Sequence, residues 1–286
     1  YLRALEIAPG NPNNYAAISD LEKEADNLPL SLDWMRRAAE VDPQDHELAS
    51  HIAEDLFRLD LPEEGRRWLN RVQALAPGTD VARISEIQYA MARDDTNTAI
   101  ALAQQAISDR IGFRRGGFFD AIFGYAAVMS REGRSKEAYE FIVSEFPNLP
   151  DYEESGSDQY HFAVRFVSFV LRAGFEPIEQ LTNDWLAFTA QMDAMGFPWK
   201  DDPDDGNWRW DYILKGQPEK AVDHYIEYQL DRPLAQNLRR HRRFAEPLFG
   251  PIYDDPRVSA KYAEDERRIA VLREEVQEML QGEEWN

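Results

Sequence analysis

The sequence predicts an all-α protein of stacked helical hairpins, and three observations carry that prediction. Pro9, Pro43 and Pro77 stand 34 residues apart, each after a run that ends as a helix does, such as Ala38-Ala39-Glu40-Val41-Asp42. Between them the apolar residues recur at spacings of three and four, which places them on one face of a helix. The hydrophobic share of 43% supplies a real core. A fixed period of this length marks an array of helix–turn–helix units, because one helical pair cannot bury its apolar face alone.

The units follow in order from this register. Tyr1 falls inside the second helix of a pair, so the sequence reads as the later part of a longer chain. The next unit starts at Pro12, with Tyr15 and Ile18 inward on its first helix and Ser31, Met35 and Ala38 on its second. A third runs from His46, with Ile52 and Leu56 inward, then Gly65, Leu69 and Val72, and Pro62 sits in a first turn where a helix tolerates it. The fourth keeps small residues at Ala99, Ala103 and Ala106 and ends at Ile111 without the proline. Gly112-Phe113-Arg114-Arg115-Gly116-Gly117 then reads as an irregular turn.

The fifth unit recovers the pattern with Ile122, Tyr125, Met129, Gly133, Ala138, Ile142 and Pro150. Helices from about 159 to 172 and 177 to 195 form a divergent sixth pair. The seventh holds Trp208, Tyr212, Gly216, Ala221, Tyr225, Tyr228 and Pro233 in register. Beyond this the period is lost. Asp255-Pro256 reads as an N-cap followed by proline at the first helical position, opening a helix to Gly282 with the stripe Val258, Tyr262, Ile269, Leu272, Val276 and Met279. A solenoid needs its open end closed, so this helix is expected to cap the array. The expected division is a repeat array at 1–236, including the divergent pair at 159–195, and capping helices at 237–286.

Net charge is −21, with 53 acidic against 32 basic residues. That disfavours general attraction to nucleic acid or anionic lipid and favours basic partners, although solubility alone explains it equally. The basic run Leu238-Arg239-Arg240-His241-Arg242-Arg243-Phe244 has no aromatic platform or companion motif that would make it a nucleic-acid site, and docking on neighbouring acids accounts for it. The longest apolar stretch, Phe162 to Leu171, is too short and too polar to span a bilayer. The chain has no cysteine, which removes disulfides and thiolate chemistry. This suits a cytoplasmic protein, or a periplasmic one if a membrane span precedes Tyr1.

Chemistry-bearing motifs are absent. The five histidines make no zinc motif, and there is no phosphate loop, dinucleotide fingerprint or nucleophile elbow, so neither catalytic residues, metal nor cofactor is expected. Asp201-Asp202-Pro203-Asp204-Asp205-Gly206-Asn207 fails as a calcium loop, since Pro203 and Tyr212 stand where oxygen ligands are needed. Gly156-Ser157 belongs to an acidic linker.

The residues in phase resemble the tetratricopeptide repeat: an aromatic and an aliphatic residue in the first helix, Gly133 and Gly216 at the turns, Ala138 and Ala221 five residues on, and prolines 43, 77, 150 and 233 at the ends. Ser19, Ala53 and Ala126 stand where that family has a close-contact glycine. The resemblance implies a right-handed α–α superhelix whose first helices line a concave groove. Carried over, the groove positions of this chain are Asp20, Lys23 and Glu24, then Glu47, Glu54, Phe57 and Arg58, then Phe123 and Arg131. They imply an acidic groove with aromatic patches, suited to a Lys- or Arg-bearing peptide, and they are equally what the polar halves of amphipathic helices present. Ala16, Ser50 and Phe123 occupy the position of the family's carboxylate-clamping lysine, so chaperone-tail binding is not expected.

The tail, from Trp208-Arg209-Trp210 through Asp254-Asp255-Pro256-Arg257-Val258, is similar to the carboxyl end of bacterial multidomain regulators. In those, a repeat array follows a winged-helix, nucleotide cyclase or kinase domain. The resemblance implies a sensory or assembly half of a larger regulator. Trp199, Trp208 and Trp210 are candidate interface residues, and a homodimer through them is one expectation. The leading expectation is a non-catalytic scaffold that recognises a basic peptide or its own copy. The alternative is a small-ligand sensor with its cavity between the sixth pair and the C-terminal helix.

Overall fold

The computed structural model describes residues 2–111, 117–147, 159–194, 207–228, 250–282 and 285. Among these there is no strand. The helices are α1 (Leu2–Ile7), α2 (Pro12–Glu24), α3 (Leu28–Val41), α4 (His46–Arg58), α5 (Pro62–Leu75), α6 (Asp80–Ala92), α7 (Thr96–Ser108), α8 (Gly117–Arg131), α9 (Ser135–Glu145), α10 (Gln159–Arg172), α11 (Ile178–Ala194), α12 (Asn207–Leu214), α13 (Pro218–Tyr228), α14 (Gly250–Tyr253) and α15 (Pro256–Leu280). No helix among the described residues is long and apolar enough to cross a membrane.

Helix starts are set by proline at the first turn of α2, α5, α13 and α15, where its missing N–H has no intrahelical role. Others start at side-chain caps. Asp45 accepts from the amides of Glu47 at 2.8 Å and Leu48 at 3.3 Å, and Asp95 accepts from Thr98 at 3.3 Å.

Helix ends share one device. At the turns α2–α3, α4–α5 and α6–α7 the chain passes through a left-handed residue: Asp26 (φ 62°), Asp60 (φ 57°) and Asp94 (φ 54°). Gly133 and Gly216, both at φ 70°, do the same for α8–α9 and α12–α13. Each turn closes with a pair of backbone bonds, as in Asn27 N–H to Glu22 C=O at 2.8 Å with Asp26 N–H to Lys23 C=O at 3.0 Å. These bonds satisfy carbonyls that the helix end would leave without partners. The three aspartates stand 34 residues apart, in register with the prolines.

The chain forms two compact units. Among the described residues, the first holds those of Tyr1–Ala121 and Glu264–Asn286, and the second those of Ile122–Arg232 and Arg242–Ala263. In the first unit the hairpins α2–α3 and α4–α5 enclose Leu28, Leu32, Met35, Ile52, Leu56, Leu59 and Leu61. Ser19 and Ala53, at the expected close-contact positions, are fully buried, and the Ser19 hydroxyl donates to the Ser31 carbonyl at 2.8 Å. In the second unit Phe166, Phe169, Trp185 and Phe188 of the divergent pair pack with Ile213, Leu214, Val222 and Tyr225.

The last helix departs from the expected cap. Its first turns meet that requirement, since Val258 is fully buried in the core that contains Val222 and Tyr225, and the Tyr262 and Tyr225 hydroxyls are hydrogen-bonded. From Glu264 onward it instead belongs to the N-terminal unit. Ile269 and Val276 complete the core of α3 and α4, with Leu272, Met279, Leu280 and Trp285 packed alongside. The apolar stripe is the expected one, but its greater part is covered by hairpins more than 200 residues earlier in the chain.

Candidate functional site

The expected groove positions of the first unit lie on α2 and α4, and the structure joins several of them in one polar network. Lys23 of α2 reaches the Asp55 carboxylate of α4 at 2.5 Å, and Asp55 is almost fully buried. Arg58 pairs with Asp55 at 3.3 Å and also with Glu54. Glu54 in turn accepts from Gln88 of α6 at 3.0 Å, and the Ser50 and Ser85 hydroxyls meet at 3.0 Å. A buried carboxylate needs this compensation, because desolvation outweighs a single weak pair. Lys23, Glu54 and Arg58 are therefore committed to holding the first helices of successive hairpins together.

Phe57 is not an aromatic patch for a partner. It is 6% exposed and packs with Ala53, Leu69 and Tyr89. The reason is Gly65 of α5, where a Cβ would stand 2.5 Å from the Phe57 ring, so the missing side chain makes the slot the ring fills. Phe123, in the second unit, is half-buried against Phe166, with ring centroids 5.8 Å apart. Asp20, Glu24 and Glu47 are exposed on the first unit and Arg131 on the second. These positions of the first unit thus form a mostly self-neutralised surface that also exposes Asp20, Glu24 and Glu47, rather than an acidic channel lined by aromatics.

Trp199 lies outside the described residues, and Trp208 and Trp210 lie in α12, of which only the backbone is described there. The basic run 238–244, the linker 151–158 and the acidic loop 201–206 also lie outside them.

A surface that the sequence reading did not select is built by the turn aspartates. The Arg273 guanidinium donates to the Leu59 carbonyl and to the Asp60 carboxylate, each at 2.6 Å. Arg268 pairs with Asp26. Each arginine therefore sits at the C-terminal end of a helix, where the helix dipole adds to the carboxylate in attracting a cation. Between them Ile269 is 3% exposed, and just after them Val276 is buried completely. Beyond, Trp285 meets Trp68 edge-on at 6.1 Å, and the Arg36 guanidinium lies 5.5 Å from the Trp285 ring. The signal was available in the spacing of Asp26, Asp60 and Asp94, but a search for glycine at the turns passes over it.

The second unit contains a cavity of about 340 Å³ between α9, α10 and α11, lined in part by Tyr139, Arg165, Phe169, Arg172 and Phe188. Burial works against the charge of Arg172, but the hydrogen bonds it donates to Glu176 and Asp184 outweigh this and raise its pKa above the ordinary arginine value. Its guanidinium lies 5.5 Å from the Phe169 ring, and that of Arg165 lies 5.0 Å from Phe188. This cavity is placed between the fifth and sixth pairs, not at the C-terminal helix. Among the described residues no group of three or more His, Asp or Glu could hold a metal ion.

No protein-family model and no curated protein matches this chain.

Proposed function

We propose that the chain is a non-catalytic protein–protein interaction module, a tetratricopeptide-like superhelix that holds a basic helical segment and serves as the sensory or assembly part of a larger regulator. One observation carries this reading. The first unit already holds an amphipathic helix, its own residues 264–280, on an apolar seam bordered by Asp26 and Asp60. The helix has six acids against three arginines, and it is Arg268 and Arg273 that meet the two aspartates. The overall charge of −21 acts in the same direction by drawing cationic segments toward the surface.

The test is binding of amphipathic helical peptides, with arginine or with glutamate on their polar edge, followed by fluorescence anisotropy at several salt concentrations. The arginine series binds and weakens as salt rises, because exposed pairs are screened. Equal failure of both series contradicts the module. Charge reversal at Asp20 and Glu24, the exposed acids of α2, tests the groove separately: unchanged binding removes the groove as the seat.

The cavity of the second unit favours a second reading, a sensor for a small effector. Its aromatic and guanidinium lining suits a planar ligand. Thermal stabilisation of the chain by a metabolite, with no response to peptides, would select this reading over the first.

A further inference from the structure

We propose that the edge formed by the α2–α3 and α4–α5 turns is the specific seat of the module. On this proposal it recognises an amphipathic α-helix with two arginines five residues apart and apolar residues between and after them, and residues 264–285 occupy it in cis. The inference rests on the interaction-module reading and adds to it the seat and the chemistry of the partner.

The backbone does not demand aspartate at these turns. Gly133 and Gly216 hold the same left-handed conformation without strain, whereas a residue with a Cβ pays to adopt it. What aspartate adds is a carboxylate beside the terminal carbonyls of α2 and of α4, repeated at the period of the hairpins. The tail matches that repeat with Arg268 and Arg273, and it matches the apolar seam with Ile269 and Leu272 between them and Val276 after them. Recognition by charge at two points and by burial along the line between them specifies both the register and the direction of a helix.

The tail is an imperfect occupant. Val271 is 54% exposed, and a cleft of about 350 Å³ lies beside it, lined by Asp26, Arg268 and Leu272 among others. The Arg268 side chain is 45% exposed. A helix with bulkier residues facing this cleft would bury more surface than the tail does, which makes exchange in favour of a partner feasible. The third turn continues the row, since Asp94 is exposed at the end of α6 in the same conformation.

The experiment uses a fluorescent peptide of residues 264–282 and the full chain. In R268E/R273E the tail is repelled from its seat, so the peptide binds about tenfold more tightly than to the unaltered chain, the worth of the weakened pairs. Adding D26N/D60N, whose side chains still tolerate the left-handed turn, removes that gain. D26R/D60R with the tail arginines retained repels the tail in turn, so the peptide does not bind but one carrying Glu at both arginine positions does. Circular dichroism confirms that each variant is folded. Binding that ignores Asp26 and Asp60 overturns the seat and leaves the recognition module standing. Failure of the peptide to bind folded R268E/R273E at any salt concentration overturns both.

Discussion

Asp94 and Asp60 have the same backbone conformation and opposite surroundings, which makes them a matched pair. Asp94→Gly relieves the left-handed strain and stabilises the chain by up to about 1 kcal/mol, less the freedom glycine adds to the unfolded state. Asp60→Gly relieves the same strain but strips Arg273 of its carboxylate, so urea unfolding should show no gain or a loss. Gly65→Ala tests the slot for Phe57. Helix propensity favours alanine by about 1 kcal/mol, yet a Cβ 2.5 Å from a buried ring forces overpacking worth about 1–3 kcal/mol. The variant is therefore destabilised, and Phe57→Leu in the same chain returns part of the loss. Inward residues such as Ile18, Ile52 and Ile122 were legible from spacing alone. The roles of Lys23, Glu54, Arg58 and Phe57 were not, because helical periodicity marks a polar or inward face without saying which neighbour satisfies it. Phe57 stood at a groove position by resemblance, and only the glycine opposite decides that it turns inward.

Helix boundaries were the most readable property. The expected spans 159–172 and 177–195 are α10 (Gln159–Arg172) and α11 (Ile178–Ala194), and the helix expected to open at Pro256 is α15. Local chemistry decides such boundaries: proline at a first turn, and carboxylates that accept from the first amides. Asp45→Ala should accordingly cost about 1 kcal/mol in the unfolding of the first unit, measured by denaturant titration, because two amides of α4 lose their acceptor. The destination of α15 was not readable at this level. Its stripe specifies an apolar face, and the same stripe would serve a cap on the last hairpin or a strap on the first ones. What decides between them is the pairing of Arg268 and Arg273 with two turns far away in sequence, and long-range pairing leaves no local trace.

For the chain as a whole, the helical class followed from the proline period and the stripes. The division into two units did not, since the covering of a seam by the chain's own tail crosses every boundary drawn from composition. The charge of −21 gives a further expectation of opposite signs. Moderate salt screens the self-repulsion of the acidic fold and raises its thermal midpoint, while it weakens any cationic helix bound at the turns. If salt leaves the binding of a cationic helix unchanged, attraction to a basic segment is not the principle of this surface. The chain lacks cysteine, so two introduced thiols can be labelled without interference. Spin labels at Asn27→Cys and Arg267→Cys, both at exposed positions beside the Asp26–Arg268 pair, report whether the tail rests on the first turn in solution. One narrow peak at short distance, broadened by adding Asp26→Arg, is the predicted result. A broad, long distribution in the otherwise unaltered chain would contradict the docked helix and the recognition surface inferred from it.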